Sequence, residues 1–230
     1  MLYLDTGTSA LTLNFDYCIL KGTTGGGFAG IRDTPYYGQQ PITVNMRNCA
    51  ILGDYYAYYE EDPVTGKTSD QRHFTFTNCD LINHRGTYFI VDLYDNTPLT
   101  QMTVAFKDCN FFCTASTGAN GILNRVNNTG IVDKVTADYC NVYLQTPNGG
   151  ANKYLNMTVT NDITNDVTFG EIIGYNDVDA GDLRYSNTVL LTASSTGKQV
   201  GSNRDFRTIT DDVIIEPTPV NQARNWSMYQ

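Results

Sequence analysis

At 230 residues the chain has room for one all-β domain, or one domain with a small terminal piece. Its 24 acidic residues against 15 basic give a net charge of −9, which excludes a surface built to hold nucleic-acid phosphates. Aromatic residues reach 12% and charged residues only 17%, so the chain can bury a core and general disorder is excluded.

No apolar run approaches the roughly 20 residues of a membrane-spanning helix. Met1 to Asp5 reads MLYLD, a short strand-like piece without the basic and apolar regions of a signal peptide. An export signal is therefore expected to have been removed, or replaced by another route outward, such as release of a virion by lysis.

Five of the six cysteines, Cys18, Cys49, Cys79, Cys109 and Cys140, are spaced by 31, 30, 30 and 31 residues. The sequence around each is the same. Leu13-x-Phe15-x-x-Cys18-x-Leu20 is followed by Val44-x-Met46-x-x-Cys49-x-Ile51 and Phe74-x-Phe76-x-x-Cys79-x-Leu81. Val104-x-Phe106-x-x-Cys109-x-Phe111 and Val135-x-Ala137-x-x-Cys140-x-Val142 complete the set. Such a period is the mark of a repeat architecture.

Alternation of period two before each cysteine predicts a strand, and a second strand resumes two residues past it. Asn48, Asn78 and Asp108 directly before the cysteine, and Asp16 and Asp138 one place earlier, are the residue types that tolerate a left-handed bend between strands. A further strand family follows each corner: residues 25–33, 55–61, 86–94 and 118–126, rich in aromatic or β-branched residues. Several strands per 30-residue coil predict a parallel β-solenoid, a rod roughly 25–30 Å long for five or six coils. The rival, a leucine-rich repeat, needs helices where this chain has Gly-Gly-Gly, Tyr-Tyr-Ala-Tyr-Tyr and Thr-Tyr-Phe-Ile-Val.

Coils reading V-x-F-x-N-C-x-F and then G-x-x-F-I resemble right-handed parallel β-helices of the pectate-lyase-like superfamily. They are particularly similar to non-catalytic β-helix domains of Bacteroidetes surface proteins. The resemblance covers about residues 1–145 and implies architecture more than activity, because that superfold hosts lyases, hydrolases, adhesins and phage tailspikes.

Beyond residue 145 the pattern fades. Leu155-x-Met157-x-Val159 with Asn161 predicts a sixth coil, and Tyr185 to Leu191 a seventh strand pair. The polar end carries Pro217, Pro219 and the lone Trp226. Residues 1–165 are thus read as the parallel β-helix and 166–230 as a C-terminal cap or small β element, since solenoids need atypical ends.

Stacked equivalent positions lie about 4.8 Å apart with parallel side chains, whereas a disulfide needs Cβ atoms about 3.8 Å apart and converging. The cysteines are predicted to form a ladder of free, buried thiols. No C-x-x-C pair offers a metal site, and Cys109 and Cys113 have no histidine nearby.

No catalytic residue emerges. His73 is isolated, and His84-Arg85 sits in a turn where solvation is the plainer role. The W-x-D-H and R-x-P-x-x-R motifs of polysaccharide lyases of this fold have no match, nor has the N-T-D, D-D and G-H-G combination of its glycosidases; Asp211-Asp212 lies outside the repeat. No cofactor is expected. An oxygen-rich stretch at Asp177, Asp179 and Asp182 is similar to a calcium loop, but its glycine comes one place early and the twelfth-position glutamate is missing.

Tyrosine is the most usable signal. Tyr36, Tyr37, Tyr55, Tyr56, Tyr58 and Tyr59, with Arg32 or Arg85 supplying hydrogen bonds, form a candidate strip for sugars or protein partners, although such rings also fill turns. The expected function is a non-catalytic extracellular module for carbohydrate binding or adhesion, its partner a polysaccharide or cell-surface glycan. One alternative is a structural or receptor-binding virion fibre or tailspike module, then a homotrimer. Another is a polysaccharide lyase or glycoside hydrolase.

Overall fold

Two strands flank each cysteine and a third comes from the aromatic run that follows, so each period supplies three strands. The computed structural model describes residues 2–4, 10–22, 29–33, 41–53, 56–60, 72–83, 91–93, 103–113, 123–125, 135–144, 157–163, 173–178 and 182–202. The chain opens with β1 (Leu2–Leu4), β2 (Leu11–Asp16) and β3 (Ile19–Lys21), then β4 (Ala29–Asp33), β5 (Ile42–Arg47) and β6 (Ala50–Gly53). Next come β7 (Tyr56–Glu60), β8 (Arg72–Thr77) and β9 (Asp80–Asn83), then β10 (Val91–Leu93), β11 (Thr103–Lys107) and β12 (Asn110–Cys113). β13 (Leu123–Arg125), β14 (Val135–Asp138), β15 (Asn141–Leu144) and β16 (Thr158–Thr160) complete the series.

Strands one period apart join the same sheet. Sheet A is β1-β4-β7-β10-β13, sheet B is β2-β5-β8-β11-β14-β16, and sheet C is β3-β6-β9-β12-β15. Every pairing is parallel. The register is the repeat itself: Phe15, Met46, Phe76, Phe106, Ala137 and Val159 form one continuous row across sheet B. Of the predicted sixth coil, the described residues contain strand β16 and a buried Met157. Among the described residues the protein is all-β, an arrangement compatible with a parallel β-helix. No helix there is long and apolar enough to cross a membrane, and strand β7 occupies a position where a leucine-rich repeat would carry helix.

The corner between sheets B and C is the same in every layer. One residue per corner has left-handed backbone: Tyr17, Asn48, Asn78, Asp108, Tyr139 and Asn161, with φ between 48° and 55°. Asp16 and Asp138 were the polar candidates for the first and fifth corners, but the bend falls on the tyrosine after each. Register decides this. The residue before the cysteine must turn, because its N–H donates to the next layer: Tyr17 to the Arg47 carbonyl at 3.1 Å, Asn48 to Thr77 at 3.0 Å, Asn78 to Lys107 at 3.0 Å, Asp108 to Asp138 at 3.0 Å. Asp16 and Asp138 instead brace the neighbouring corner, accepting from Asn48 Nδ2 at 3.3 Å and Asn161 Nδ2 at 2.8 Å.

Those acceptor carbonyls have a second lone pair, and the cysteine fills it. Cys49 Sγ reaches the Arg47 carbonyl at 3.2 Å, Cys79 the Thr77 carbonyl at 3.3 Å, Cys109 the Lys107 carbonyl at 3.2 Å and Cys140 the Asp138 carbonyl at 3.4 Å. All six thiols are free, as a parallel ladder demands. Burial pushes the Cys109 thiol well above the ordinary thiol value, which keeps it a neutral donor. Inside the corner stack the Phe76 and Phe106 rings lie 5.1 Å apart, and Phe111 meets Phe106 edge-on at 4.9 Å.

Residues 173–178 and 182–202 form a strap along the outward face of sheet C. Leu183, Tyr175 and Val178 pack on Ala50, Leu52, Ile82 and Phe112, which point away from the cysteine core. Within the described residues its contacts therefore run along the flank of the stack. Residues 185–191, predicted as a strand pair, are irregular chain and turn. Asn187 explains the difference: its side-chain oxygen accepts from the Val189 and Leu190 N–H groups at 2.9 and 3.3 Å, closing a local turn in place of a ladder. Residues 203–230, including Pro217, Pro219 and Trp226, lie outside the described residues, as does Asp211-Asp212.

Two outcomes test this construction. Denatured, unreduced protein should titrate six thiols, and in the native protein Cys18, the half-buried one, should react first. Asn78→Val should lower stability by about 1–2 kcal/mol and Asn78→Gly by much less, because only the first places a β-branched residue in a left-handed corner. Denaturant midpoints of the two variants check it.

Candidate functional site

Inward residues of sheet B are apolar, so by strand alternation every outward position is free to be polar. The outward rows are straight because the register is. Thr12, Thr43, His73 and Thr103 make one row, Asn14, Asn45, Thr75 and Ala105 a second, and Asp16, Arg47, Thr77 and Lys107 a third. Neighbours within a row are about 4.8 Å apart. Across the rows opens a shallow groove of about 350 Å³, lined by Asn14, Asp16, Asn45, Arg47, Thr75 and Thr77, with Phe15 and Met46 between them along the strands.

The groove is held in shape by rung-to-rung contacts. Asn45 Nδ2 donates to Asn14 Oδ1 at 2.9 Å. Arg47 grips the Asp16 carboxylate with Nε at 3.2 Å and with a second guanidinium nitrogen. That guanidinium holds the Asp16 carboxyl below the usual carboxylate range, so the pair stays charged. His73 Nδ1 lies 2.9 Å from Thr103 Oγ1. The face thus offers amides, hydroxyls and one matched ion pair in a flat array. Such a surface can exchange hydrogen bonds with hydroxyl-rich ligands.

Sequence reasoning passed over Asn14, Asn45, Arg47, Thr75 and Thr77. Their signal was present as the polar half of the alternation in L-T-L-N-F-D, I-T-V-N-M-R and R-H-F-T-F-T. The tyrosine strip belongs to sheet A. There β4 and β7 are neighbours, with Ala29 opposite Tyr56, Ile31 opposite Tyr58, and Arg32 opposite Tyr59; Asp92 of β10 stands next to Tyr59 in the same row. Backbone register therefore brings Arg32 to the tyrosines of residues 56–59. Tyr36, Tyr37, Tyr55, His84 and Arg85 lie outside the described residues.

The two described ends of the oxygen-rich stretch pair in an isolated antiparallel bridge. Asp177 and Asp182 exchange backbone hydrogen bonds at 3.0 and 2.7 Å. The Asp182 carboxylate is matched by Arg184, through Nε at 2.7 Å and Nη2 at 2.5 Å, and by Asn176 Nδ2 at 2.6 Å. These partners, Arg184 foremost, hold its carboxyl at about 2. A cation there would compete with a guanidinium already in place. Asp179 lies outside the described residues, and among those described no group of three metal-ligating side chains is assembled.

Comparison with protein-family models, with curated proteins and with solved structures finds no match.

Proposed function

We propose that this chain is a right-handed parallel β-helix of the pectate-lyase-like kind, acting as a non-catalytic extracellular module for carbohydrate binding or adhesion at a cell surface. The observation that carries the reading is the outward face of sheet B. Its groove combines amide, hydroxyl and guanidinium groups in one flat array, which is the chemistry that exchanges hydrogen bonds with sugar hydroxyls. The net charge of −9 favours neutral glycans over acidic ones. On sheet A the backbone register sets Arg32, Tyr59 and Asp92 in one row, which brings the same residue types together.

A virion fibre module is the second reading, favoured by one observation. Leu11, Tyr17 and Ile19, on the outermost described strands of sheets B and C and their corner, are 43%, 56% and 42% exposed, as suits a layer covered by neighbouring chains. A trimer that persists on dilution in sedimentation would favour this reading, and a monomer the surface module.

A neutral-glycan array should show binding by the wild-type protein. Asn45→Ala with Thr75→Ala should weaken it about tenfold, the loss of two hydrogen bonds of ordinary net strength. Tyr59→Ala tests the sheet A row in the same way. An array without signal would overturn the carbohydrate reading.

A further inference from the structure

The two described pieces of the strap, 173–178 and 182–202, converge on one buried carboxylate through Tyr175 and Ser202. Asp80 opens β9 in the outward row Ile19, Ala50, Asp80, Asn110 and Asn141 of sheet C, and it is 1% exposed. From the start of the strap, the Tyr175 hydroxyl donates to Asp80 Oδ1 at 2.6 Å. From its end, the Ser202 N–H donates to Oδ2 at 2.9 Å, and the Ser202 hydroxyl donates to the same oxygen. Asn110 Nδ2 bridges the two partners, donating to Asp80 Oδ1 at 3.2 Å and to the Val200 carbonyl at 3.1 Å.

The approach is close enough to demand glycine. Gly201 has φ +82°, and a Cβ there would overlap the Asp80 carboxylate and the Asn110 amide. A second clip lies one layer along. Asp108 accepts the Ser195 N–H at 2.5 Å and the Ser195 hydroxyl at 2.7 Å, and its main-chain carbonyl takes the Gly201 N–H at 2.8 Å.

We propose that Asp80 makes the strap an acid-tightened clasp, docked more firmly on sheet C when this carboxyl is protonated than when it is charged. The groups facing Asp80 set the sign. From the strap come Tyr175 and Tyr185, phenols that burial pushes up and keeps neutral, and Ser202; from sheet C comes the Asn110 amide. Asp108, the nearest carboxylate of the clip, is occupied by Ser195, and the thiols of Cys79 and Cys109 belong to the opposite, inward face. Among the described residues no cation bonds to Asp80. Its charge is therefore opposed by burial and supported only by neutral donors, and burial wins, driving the carboxyl up from 3.8 to about 6.

Undocking returns the carboxyl to water and to its ordinary value. A group raised by docking stabilises the docked state fully below 3.8, and that contribution is lost as pH rises through 6. On protonation the Ser202 or the Tyr175 hydroxyl can turn to accept the new O–H.

Hydrogen exchange of the full chain, corrected for intrinsic rates, reads the clasp through the Val200, Gly201 and Ser202 amides. The Asn48 and Asn78 amides, at corners of the stack, serve as internal controls. Strap protection relative to the controls should be about tenfold greater near pH 5 than near pH 7.5, the ratio that carboxyl values of 3.8 and about 6 require. Asp80→Asn should flatten the response. Ser202→Ala, which keeps the carboxyl and removes one donor to its charged form, should move the midpoint upward. A wild-type ratio that does not change with pH overturns the proposal, as does a pH response that survives Asp80→Asn or a midpoint unmoved by Ser202→Ala.

Discussion

The structure depends on one shared carbonyl per corner. In each interior layer the carbonyl two residues before the cysteine accepts an N–H from the left-handed residue of the preceding layer and the S–H of its own cysteine. The residue after the cysteine sends its N–H the other way: Ala50 to Cys18, Asp80 to Cys49, Asn110 to Cys79 and Asn141 to Cys109, each at 2.9 Å. A buried bend would otherwise leave main-chain groups unpaired, at a cost of about 1–3 kcal/mol each. Cysteine suits the position because it is small, apolar enough to stack and still carries a weak donor. Serine would bring a more strongly hydrated group into the core, and alanine no donor.

From that corner the roles of the faces follow. Strict register stacks like on like, so inward rows become a continuous core of cysteine, phenylalanine and aliphatic side chains. The outward rows diverge. Sheet B leaves its threonines, asparagines and ion pair to solvent, whereas the row of sheet C passes from Ile19 and Ala50 to Asp80, Asn110 and Asn141 and is covered by the strap. One flat polar face and one clasped face are thus separate consequences of a single repeat.

Much of the fold was legible in the sequence because a repeat multiplies a weak local signal. The strand at 158–160 and the bend at Asn161 could be read from one divergent copy, since the register was already known. Local residue preference was less reliable. Tyr17 and Tyr139 turn although aspartates stand beside them, because hydrogen bonds between layers outweigh a left-handed cost of roughly 1–2 kcal/mol. Residues 185–191 looked like a strand by their aliphatic run, but no preceding layer offered them a register and Asn187 closed a turn first.

The candidate site divides along the same line. The sequence alone determined the 30- or 31-residue period, the three strand families, the alternation that makes one face of each strand polar, and the free thiols. These are local or periodic properties, carried by neighbours in the chain. Only the tertiary structure decided that Asn14, Asn45 and Thr75 line one groove, that Arg32 stands beside Tyr59, and that residues 80 and 202 share hydrogen bonds. Those pairings join residues separated by a full period or by more than a hundred positions. No spacing rule carries such contacts; they exist once the layers have stacked.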